Sequence, residues 1–313
     1  MRSGQVIAYI ATPIEKPMII KYGIHPLGLG LCSIVLIACS SNGQDIPEPV
    51  PEQEQGVDVT DDVHAPDYWN KAELVWSDEF DGSILSAERW IFETGDHGWG
   101  NNELQNYVAD DNVEVGDGIL KIHAWKKDLG QGTSEFTSAR INSKKSFTFG
   151  RIEIRAKIPE HKGNGLWPAL WMLGSNIGSV GWPGCGEIDI MEYVSFEPGQ
   201  MHFSIHSLAN NHTNGTQITS GPVPLESIEE EFHTYGVLWT DKYLKFYLDD
   251  VENIELSFLR PGVVTFENWP FSKPFYFLMN IAVGGNWGGL QGVDDTIFPA
   301  TMEVDYVRVY QVK

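Results

Sequence analysis

Alternation of polar and apolar residues is the feature that most constrains the fold of this chain. From residue 72 onward it recurs in short segments, and the clearest examples lie at 118–124, 151–158, 243–248 and 302–310. Successive side chains of a strand point to opposite faces, so this pattern predicts antiparallel strands with one face on the core and the other in solvent. The region shows no convincing helical period. The sequence therefore predicts an all-β domain.

Turns and one apolar segment indicate how these strands are arranged. Phe275–Val283 is almost uniformly apolar, and we expect it to be buried on both faces. Glycine supplies 32 of the 313 residues, about one in ten against a usual ~7%, which favours a fold with many turns. Turn signals such as Asp117-Gly118 and Gly284-Gly285 separate the strands, and no internal repeat suggests a propeller. The sequence predicts a sandwich of two antiparallel sheets of jelly-roll type.

The overall charge excludes one class of partner. The chain carries 21 Lys and Arg against 43 Asp and Glu, a formal net charge of −22 at pH 7. Contact with phosphates needs clustered basic residues, so we expect no nucleic-acid partner. The chain has three cysteines, too few for a disulfide-stapled scaffold.

The N-terminal region has the pattern of an export signal. Residues 27–38 form an uncharged apolar run, shorter than the ~20 residues that span a bilayer but typical of a signal-peptide core. The run ends at Cys39, and residues 36–39 resemble the bacterial lipobox, in which the cysteine is lipidated. We expect residues 1–38 to be a lipoprotein signal peptide, with Met18 as an alternative start. A plain secretory signal with an incidental cysteine is the other interpretation.

A spacer follows this signal. Residues 40–70 contain eight acidic residues, four prolines and no Lys or Arg. Charge repulsion and proline stiffness both extend a chain, so the sequence predicts an acidic linker over residues 39–70 and a catalytic domain over residues 71–313.

One predicted strand carries a cluster of acidic residues. Glu187 and Asp189 are two residues apart and point to the same face of a regular strand, whereas Glu192 would point to the opposite face. A β-bulge between Asp189 and Glu192 would return Glu192 to the shared face, and bulges often lie beside active sites. Three carboxylates on one face repel one another, so we expect at least one to be protonated.

This arrangement meets the requirements of glycoside hydrolysis. One carboxylate attacks the anomeric carbon while a protonated partner delivers a proton to the leaving oxygen. Four residue rises and a bulge place the Cα atoms of the two glutamates roughly 13 Å apart. With each side chain reaching about 4 Å inward, a gap of ~5 Å remains, which matches a retaining enzyme rather than an inverting one.

The same residues resemble a known family. Residues 187–192, EIDIME, match the E-x-D-x-x-E motif of glycoside hydrolase family 16 in its bulge-containing form. The segments GWGNNELQ (98–105), SARIN (138–142), GLWPALWML (165–173) and NIAVGGNWGG (280–289) resemble bacterial laminarinases, which are endo-β-1,3-glucanases. The resemblance implies a curved, concanavalin A-like jelly roll with an open cleft. It also implies that Glu187 is the nucleophile, that Glu192 is the general acid/base and that Asp189 tunes the nucleophile.

Aromatic and polar residues are candidates for binding sugars, because sugar C–H faces stack on flat rings while hydroxyls bond to polar groups. Any single tryptophan is more often a packing residue, but the resemblance places Trp167 and Trp171 near the cleft. The candidate binding residues are Trp99, Trp167, Trp171, Trp287, Asn102, Glu103 and Arg140. The resemblance also places His206 beside the acid/base carboxylate, with a hydrogen-bonded sheet histidine as the alternative.

The sequence offers no support for a catalytic cofactor. It contains neither H-E-x-x-H nor a C-x-x-C pair, and Cys185 is interpreted as a buried small residue. The resemblance implies a structural calcium ion at Glu79, Gly118 and Asp305, while an ordinary pair of surface acids is the alternative.

The sequence leaves the polysaccharide substrate open, and it leaves open whether the protein is catalytic. The leading prediction is a retaining endo-β-1,3-glucanase that acts on laminarin-like glucan. The alternatives are a mixed-linked β-1,3-1,4-glucanase (lichenase), a marine galactanase (agarase or carrageenase), or a non-catalytic β-glucan-binding protein. We expect a monomer that is held at the outer membrane or cell surface by its lipid anchor, or that is secreted.

Overall fold

The computed structural model describes residues 62–65, 67–109, 111–127 and 135–313, and strands dominate this part of the chain. The strands are β1 (Glu73–Asp78), β2 (Trp90–Glu93), β3 (Gln105–Tyr107), β4 (Val113–Gly116), β5 (Ile119–Lys126), β6 (Phe136–Ser138), β7 (Arg140–Phe147), β8 (Gly150–Lys157), β9 (Leu166–Gly174), β10 (Glu187–Glu192), β11 (Gln200–His206), β12 (Ile218–Thr219), β13 (Val223–Pro224), β14 (His233–Trp239), β15 (Tyr243–Leu248), β16 (Ile254–Leu259), β17 (Phe275–Val283) and β18 (Ala300–Gln311). One short α-helix, α1 (Ile177–Val180), lies among them, with 3-10 turns at Tyr68–Lys71, Gly98–Gly100, His212–Asn214 and Asp295–Ile297. In the described ranges no helix has the length and apolar character needed to cross a membrane.

The strands form two open sheets. Ten strands make the first, in the order β16-β15-β14-β8-β18-β5-β6-β3, with β1 also on β18 and β4 also on β5. Eight make the second, in the order β12-β11-β10-β9-β17-β7-β2, with β13 also on β11. Neighbouring strands are antiparallel except for the short parallel pair β3 and β6. The predicted all-β, two-sheet architecture is confirmed.

The hydrophobic core lies between the two sheets. Strand β8 alternates buried with half-buried residues along its whole length, so Ile152 and Ile154 enter the core while the intervening side chains face outward. Side chains of the second sheet, including Ile188 on β10 and Phe277 on β17, belong to the same core cluster. Strand β17 is buried on both faces almost throughout, as its apolar sequence predicts. In the alternating strands, the period-two pattern therefore determines which side chains enter the core and which face away from it.

The beginning of the domain differs from the prediction. Val63 and Tyr68 are buried in a second cluster on the outer face of the ten-stranded sheet, together with Tyr243 and Tyr247 of β15. The hydroxyl of Tyr243 donates to the carbonyl of Val63 at 2.7 Å. Val63 and Tyr68, which the prediction placed in the linker, therefore pack against the domain, and β15 is covered on the face that its alternation assigned to solvent. The predicted signal peptide, Cys39 and most of the predicted linker lie outside the described residues.

Candidate active site

Strand β10 carries the acidic residues across the eight-stranded sheet, between β9 and β11. Its pairing with β11 is regular from Glu187 to Asp189 and then shifts before Glu192, and the pairing with β9 shifts in the same place. The adjacent side chains of Ile190 and Met191 both enter the core. This bulge returns Glu192 to the face that bears Glu187 and Asp189, as the sequence predicts.

The three carboxyl groups lie in a cavity of about 300 Å³. Its walls contain most of the predicted binding residues and several others; the lining consists of Trp99, Gly100, Asn101, Glu103, Arg140, Trp167, Ala169, Trp171, Leu173, Ile177, Trp182, Glu187, Asp189, Glu192, His212, Thr213, Asn280 and Ala282. Many of these are aromatic rings or hydrogen-bonding groups, the combination that suits a sugar.

Two indole groups hold the two glutamates. Trp182 donates from Nε1 to Oε2 of Glu187 at 2.9 Å, and Trp167 donates from Nε1 to Oε1 of Glu192 at 3.1 Å. A hydrogen bond to a carboxylate favours its charged form and restricts its rotation. Each glutamate is therefore oriented by a ring that also lines the cavity.

Burial changes the proton affinity of the acidic cluster. Burial, with the charge of Asp189 second, raises the pKa of Glu187 to about 8. Burial also raises the pKa of Asp189 well above its ordinary value, and a hydrogen bond with Glu187 offsets part of that rise. The pKa of Glu192 is raised well above its ordinary value by burial first and by Asp189 second. The cluster thus holds protons at pH values where free carboxyls have lost them.

The histidines of β11 lie differently from the expectation. Nε2 of His206 is 3.3 Å from Asp189 Oδ2 and 3.7 Å from Glu187 Oε1, so its ring lies beside the Glu187–Asp189 pair. The residue opposite Glu192 in the strand register is His202, whose ring contacts Trp287 at 5.0 Å. The expected place of His206 beside the acid/base carboxylate is therefore wrong, because strand pairing sets Glu187 opposite His206.

Arg140, at the start of β7 in the same sheet, also lines the cavity. Its guanidinium lies 4.7 Å from the ring centroid of Trp99 and 4.8 Å from that of Trp171. Its Nε also donates to the carboxylate of Glu93 on the neighbouring strand β2. The arginine is therefore fixed between two aromatic faces, an arrangement that gains cation–π attraction.

Glu103 lies at the centre of a buried hydrogen-bond network. Its carboxylate accepts from Gln105 at 2.8 Å and from the hydroxyl of Tyr107 at 3.3 Å. That hydroxyl accepts from Asn280, which in turn accepts from Nε1 of Trp171 at 2.7 Å. Burial raises the pKa of Glu103, and these donors compensate in part. The network connects Glu103 to the position of the Trp171 ring.

Two other predicted binding residues lie outside the cavity lining. Asn102 donates to Asn286 at 2.8 Å, which ties together two of the glycine-rich segments. Trp287 packs edge-on against Trp167 at 5.5 Å. Their contacts therefore support residues or loops around the cavity.

Sequence reasoning did not assign several cavity residues. Trp182 precedes β10 by only a few residues in the sequence, and its indole reaches Glu187. His212 and Thr213 come from the turn after β11, and His212 packs on Trp182 with ring centroids 4.9 Å apart. No local pattern marks these residues, because the fold alone brings their loop to the acidic strand.

The expected calcium ligands have other partners. Both carboxylate oxygens of Glu79 accept from Arg308, at 3.0 and 2.8 Å, and Asp305 pairs with Arg155. Gly118 lies next to the backbone carbonyl of Glu79, since a Cβ there would be 3.9 Å from that oxygen. Calcium requires several oxygen ligands, and two guanidinium groups already occupy these carboxylates. The two side chains therefore do not fit the ligand set.

Chelation should leave the stability of the protein unchanged. We expect the melting temperature to shift by less than about 1 °C when EGTA is added, because arginines rather than an ion neutralise Glu79 and Asp305. Thermal unfolding followed by circular dichroism with and without EGTA checks this. A decrease in melting temperature with EGTA that is reversed by added CaCl₂ would contradict this expectation and support the predicted calcium site.

Comparisons with known proteins agree with the geometry. The model of a family described as glycosyl hydrolases family 16 matches residues 100–308. The beta-glucanase of Rhodothermus marinus is 43% identical over 288 residues, which covers 88% of this chain and 92% of that protein. A glucan endo-1,3-beta-glucosidase of Cryptopygus antarcticus is 39% identical and covers 75% of this chain and 90% of its own length. The crystal structure of a laminarinase from Flavobacterium sp. UMI-01 superimposes with a TM-score of 0.69 at 42% identity, covering 76% of this chain and 100% of that one. The chain therefore belongs to glycosyl hydrolase family 16.

Proposed function

We propose that this protein is an endo-β-1,3-glucanase that retains the anomeric configuration of its substrate. The observation that carries the proposal is the bulge in β10, which gathers Glu187, Asp189 and Glu192 at one cavity wall. Relatives described as a beta-glucanase, a glucan endo-1,3-beta-glucosidase and a laminarinase support the substrate class.

The mechanism uses the two glutamates in turn. In the first step a carboxylate oxygen of Glu187 attacks the anomeric carbon, the glycosidic bond breaks, and Glu192 gives its proton to the leaving oxygen. In the second step Glu192 takes a proton from water, and the resulting hydroxide displaces Glu187 from the anomeric carbon. The hydrogen bonds from Trp182 and Trp167 hold the two carboxyl groups in position for both steps.

Asp189 assists by sharing a proton with Glu187. The two carboxyls are in hydrogen-bond contact, and neither is readily charged while its neighbour is. Moving the shared proton onto Asp189 leaves the charge on Glu187, where the indole N–H of Trp182 stabilises it. The nucleophile is thereby available at a pH where Glu192 is still protonated.

Substrate binding follows from the aromatic walls. Trp99, Trp167 and Trp171 present rings to the cavity, and Arg140 and Asn101 offer donors for sugar hydroxyls. Asn102, Trp287 and Glu103 support these walls through their contacts with Asn286, Trp167 and the Tyr107 network.

A panel of polysaccharides tests the activity directly. The purified protein should release short oligosaccharides from laminarin, and the first product should appear as the β-anomer in proton NMR spectra before mutarotation. Lichenan, agarose and carrageenan serve as the competing substrates. Faster release of oligosaccharides from lichenan, agarose or carrageenan would identify that polysaccharide as the preferred substrate instead of laminarin. A first product that is the α-anomer would refute retention. Binding of laminarin without cleavage would show a carbohydrate-binding protein instead.

Replacement of Asp189 should move the whole pH profile of the enzyme. The profile falls on the acid side as Glu187 gains a proton and on the alkaline side as Glu192 loses one. The charge of Asp189 adds to burial in raising both pKa values, so Asp189→Asn should shift both limbs of kcat/KM to lower pH. We expect kcat to fall by about 10²-fold as well, because the shared proton is lost. A profile that stays in place in rate measurements from pH 4 to 10 would contradict this role.

We also propose that an acylated Cys39 holds the domain at the outer membrane. Support comes from the apolar run at residues 27–38 that ends at this cysteine, and from the absence of Asp at position 40. Mass spectrometry of the native N-terminus should show lipid on Cys39, and Cys39→Ser should release the protein from the membrane fraction. An unmodified mature N-terminus would indicate simple secretion.

A further inference from the structure

His206 borders the acidic cluster and has no role in the proposed mechanism. Oδ2 of Asp189 and Nδ1 of His206 are buried and make no hydrogen bond within the described part of the chain. Asp189 and His206 are only 3% and 6% exposed. Buried polar atoms are normally paired, so the unpaired Oδ2 of Asp189, which faces Nε2 of His206, indicates a place for a ligand or ion between these side chains.

The spacing of the possible ligand atoms matches a small tetrahedral ion. His206 Nε2 lies 3.3 Å from Asp189 Oδ2 and 3.7 Å from Glu187 Oε1, and one ligand atom from each of the three residues lies within 4.8 Å of the others. Ligands at the ~2.0–2.2 Å bond lengths of tetrahedral zinc are separated by about 3.4 Å. The two measured separations from His206 lie close to this value, and small rotations of the carboxyl groups adjust the third.

The chemistry of the three groups selects the kind of ion. Imidazole nitrogen and carboxylate oxygen are both ligands of Zn²⁺, and three protein ligands leave a fourth tetrahedral position open. Ca²⁺ and Mg²⁺ prefer six or more oxygen ligands, and this cluster offers fewer oxygens and one nitrogen. Glu187 and Asp189 both line the cavity, so an ion bound to them would be accessible from the cleft.

We infer that Glu187, Asp189 and His206 form an inhibitory binding site for zinc or a similar divalent transition-metal ion. The ion binds the carboxylate of Glu187, so it prevents a glucan from binding next to that carboxylate. This competition rests on the proposed function of Glu187, whereas binding of the ion does not. The two parts are therefore measured separately.

Direct titration tests the site. The full chain is stripped with chelator and titrated with ZnCl₂ by calorimetry, and the same titration is made with His206→Gln. We expect the variant to lose at least tenfold in zinc affinity, because it lacks the only nitrogen ligand. The matched control is His123→Gln, a half-buried histidine 3.9 Å from Glu114 on the other sheet, which should bind zinc like the unaltered chain. Equal affinity in all three proteins, or an equal loss in the control, would overturn the site.

Two further measurements keep the test decisive. Asp189→Asn takes the place of His206→Gln if the latter unfolds, as judged by circular dichroism without zinc, and the same loss of affinity is expected. In laminarin hydrolysis by the unaltered protein, ZnCl₂ should raise KM at constant kcat, and EDTA should reverse the effect. A decrease in kcat alone would refute the shared site. If the protein binds zinc but hydrolyses no glucan, the zinc site is supported and the proposed glucanase function is rejected.

Discussion

Glu187→Ala should lower kcat on laminarin by about 10⁴-fold or more, and Glu192→Ala should cause a comparable loss on substrates with poor leaving groups. The first variant lacks the atom that bonds to the anomeric carbon, and the second lacks the proton for the leaving oxygen. Both side chains face a solvent-accessible cavity, so removing them leaves the core intact. Melting temperatures should therefore stay within a few degrees of the unaltered protein. Glu160→Ala, at a largely exposed acid paired with Lys162, is the control and should retain full activity.

Added azide separates the two roles. A small anion can occupy the space left by either glutamate, and the configuration of the azide product reports which carboxylate was removed. With Glu187→Ala and an activated β-glucoside, azide should attack directly and give the α-azide. With Glu192→Ala, azide should attack the covalent intermediate and give the β-azide. Reversed products, or hydrolysis at the unaltered rate by either variant, would refute the assignment.

Gly186→Ala should lower the free energy of unfolding by about 3 kcal/mol, a large effect for a single methyl group. Gly186 immediately precedes β10 and has φ +84, a conformation that costs a residue with a side chain roughly 1–2 kcal/mol. A Cβ atom there would lie 2.6 Å from Pro270 Cγ and 2.8 Å from Phe275 Cζ. Relief of this overlap would move the backbone that begins the catalytic strand, so kcat should fall together with stability.

Gly184→Ala is the matched control for this substitution. Gly184 lies two residues earlier in the same loop, outside the positive-φ region, and its nearest neighbour to an added Cβ is the carbonyl oxygen of Val180 at 3.4 Å. We expect a change within about 0.5 kcal/mol, because contact at that distance is ordinary. Urea unfolding of both variants measures the difference. Equal stability of the two would show that the loop adapts and that Gly186 does not fix the strand.

Local sequence determined the features that depend on neighbouring residues. Alternation along β8 sets which side chains enter the core, because successive residues of a strand point to opposite faces. The same rule requires an irregularity if Glu192 is to join Glu187 and Asp189, and the register shifts in β10 supply it. The fold class and the acidic triad could therefore be predicted before any coordinates were known.

Packing between distant segments decided the rest. The burial of Val63 depends on the tyrosines of β15, which lie about 180 residues later in the chain. The expected calcium ligands are paired with arginines that no spacing rule identifies.

The surroundings of the acidic residues likewise arise only in three dimensions. Trp182 reaches Glu187 from the preceding loop, and β11 pairs so that His206 rather than His202 lies beside Asp189. The sequence by itself determined which carboxyl groups share a face, since the geometry of a single strand governs that. The tertiary structure decided which donors, rings and histidines surround them, because those contacts join elements far apart in the chain. It also decided how deeply they are buried, and burial is the main cause of their raised pKa values.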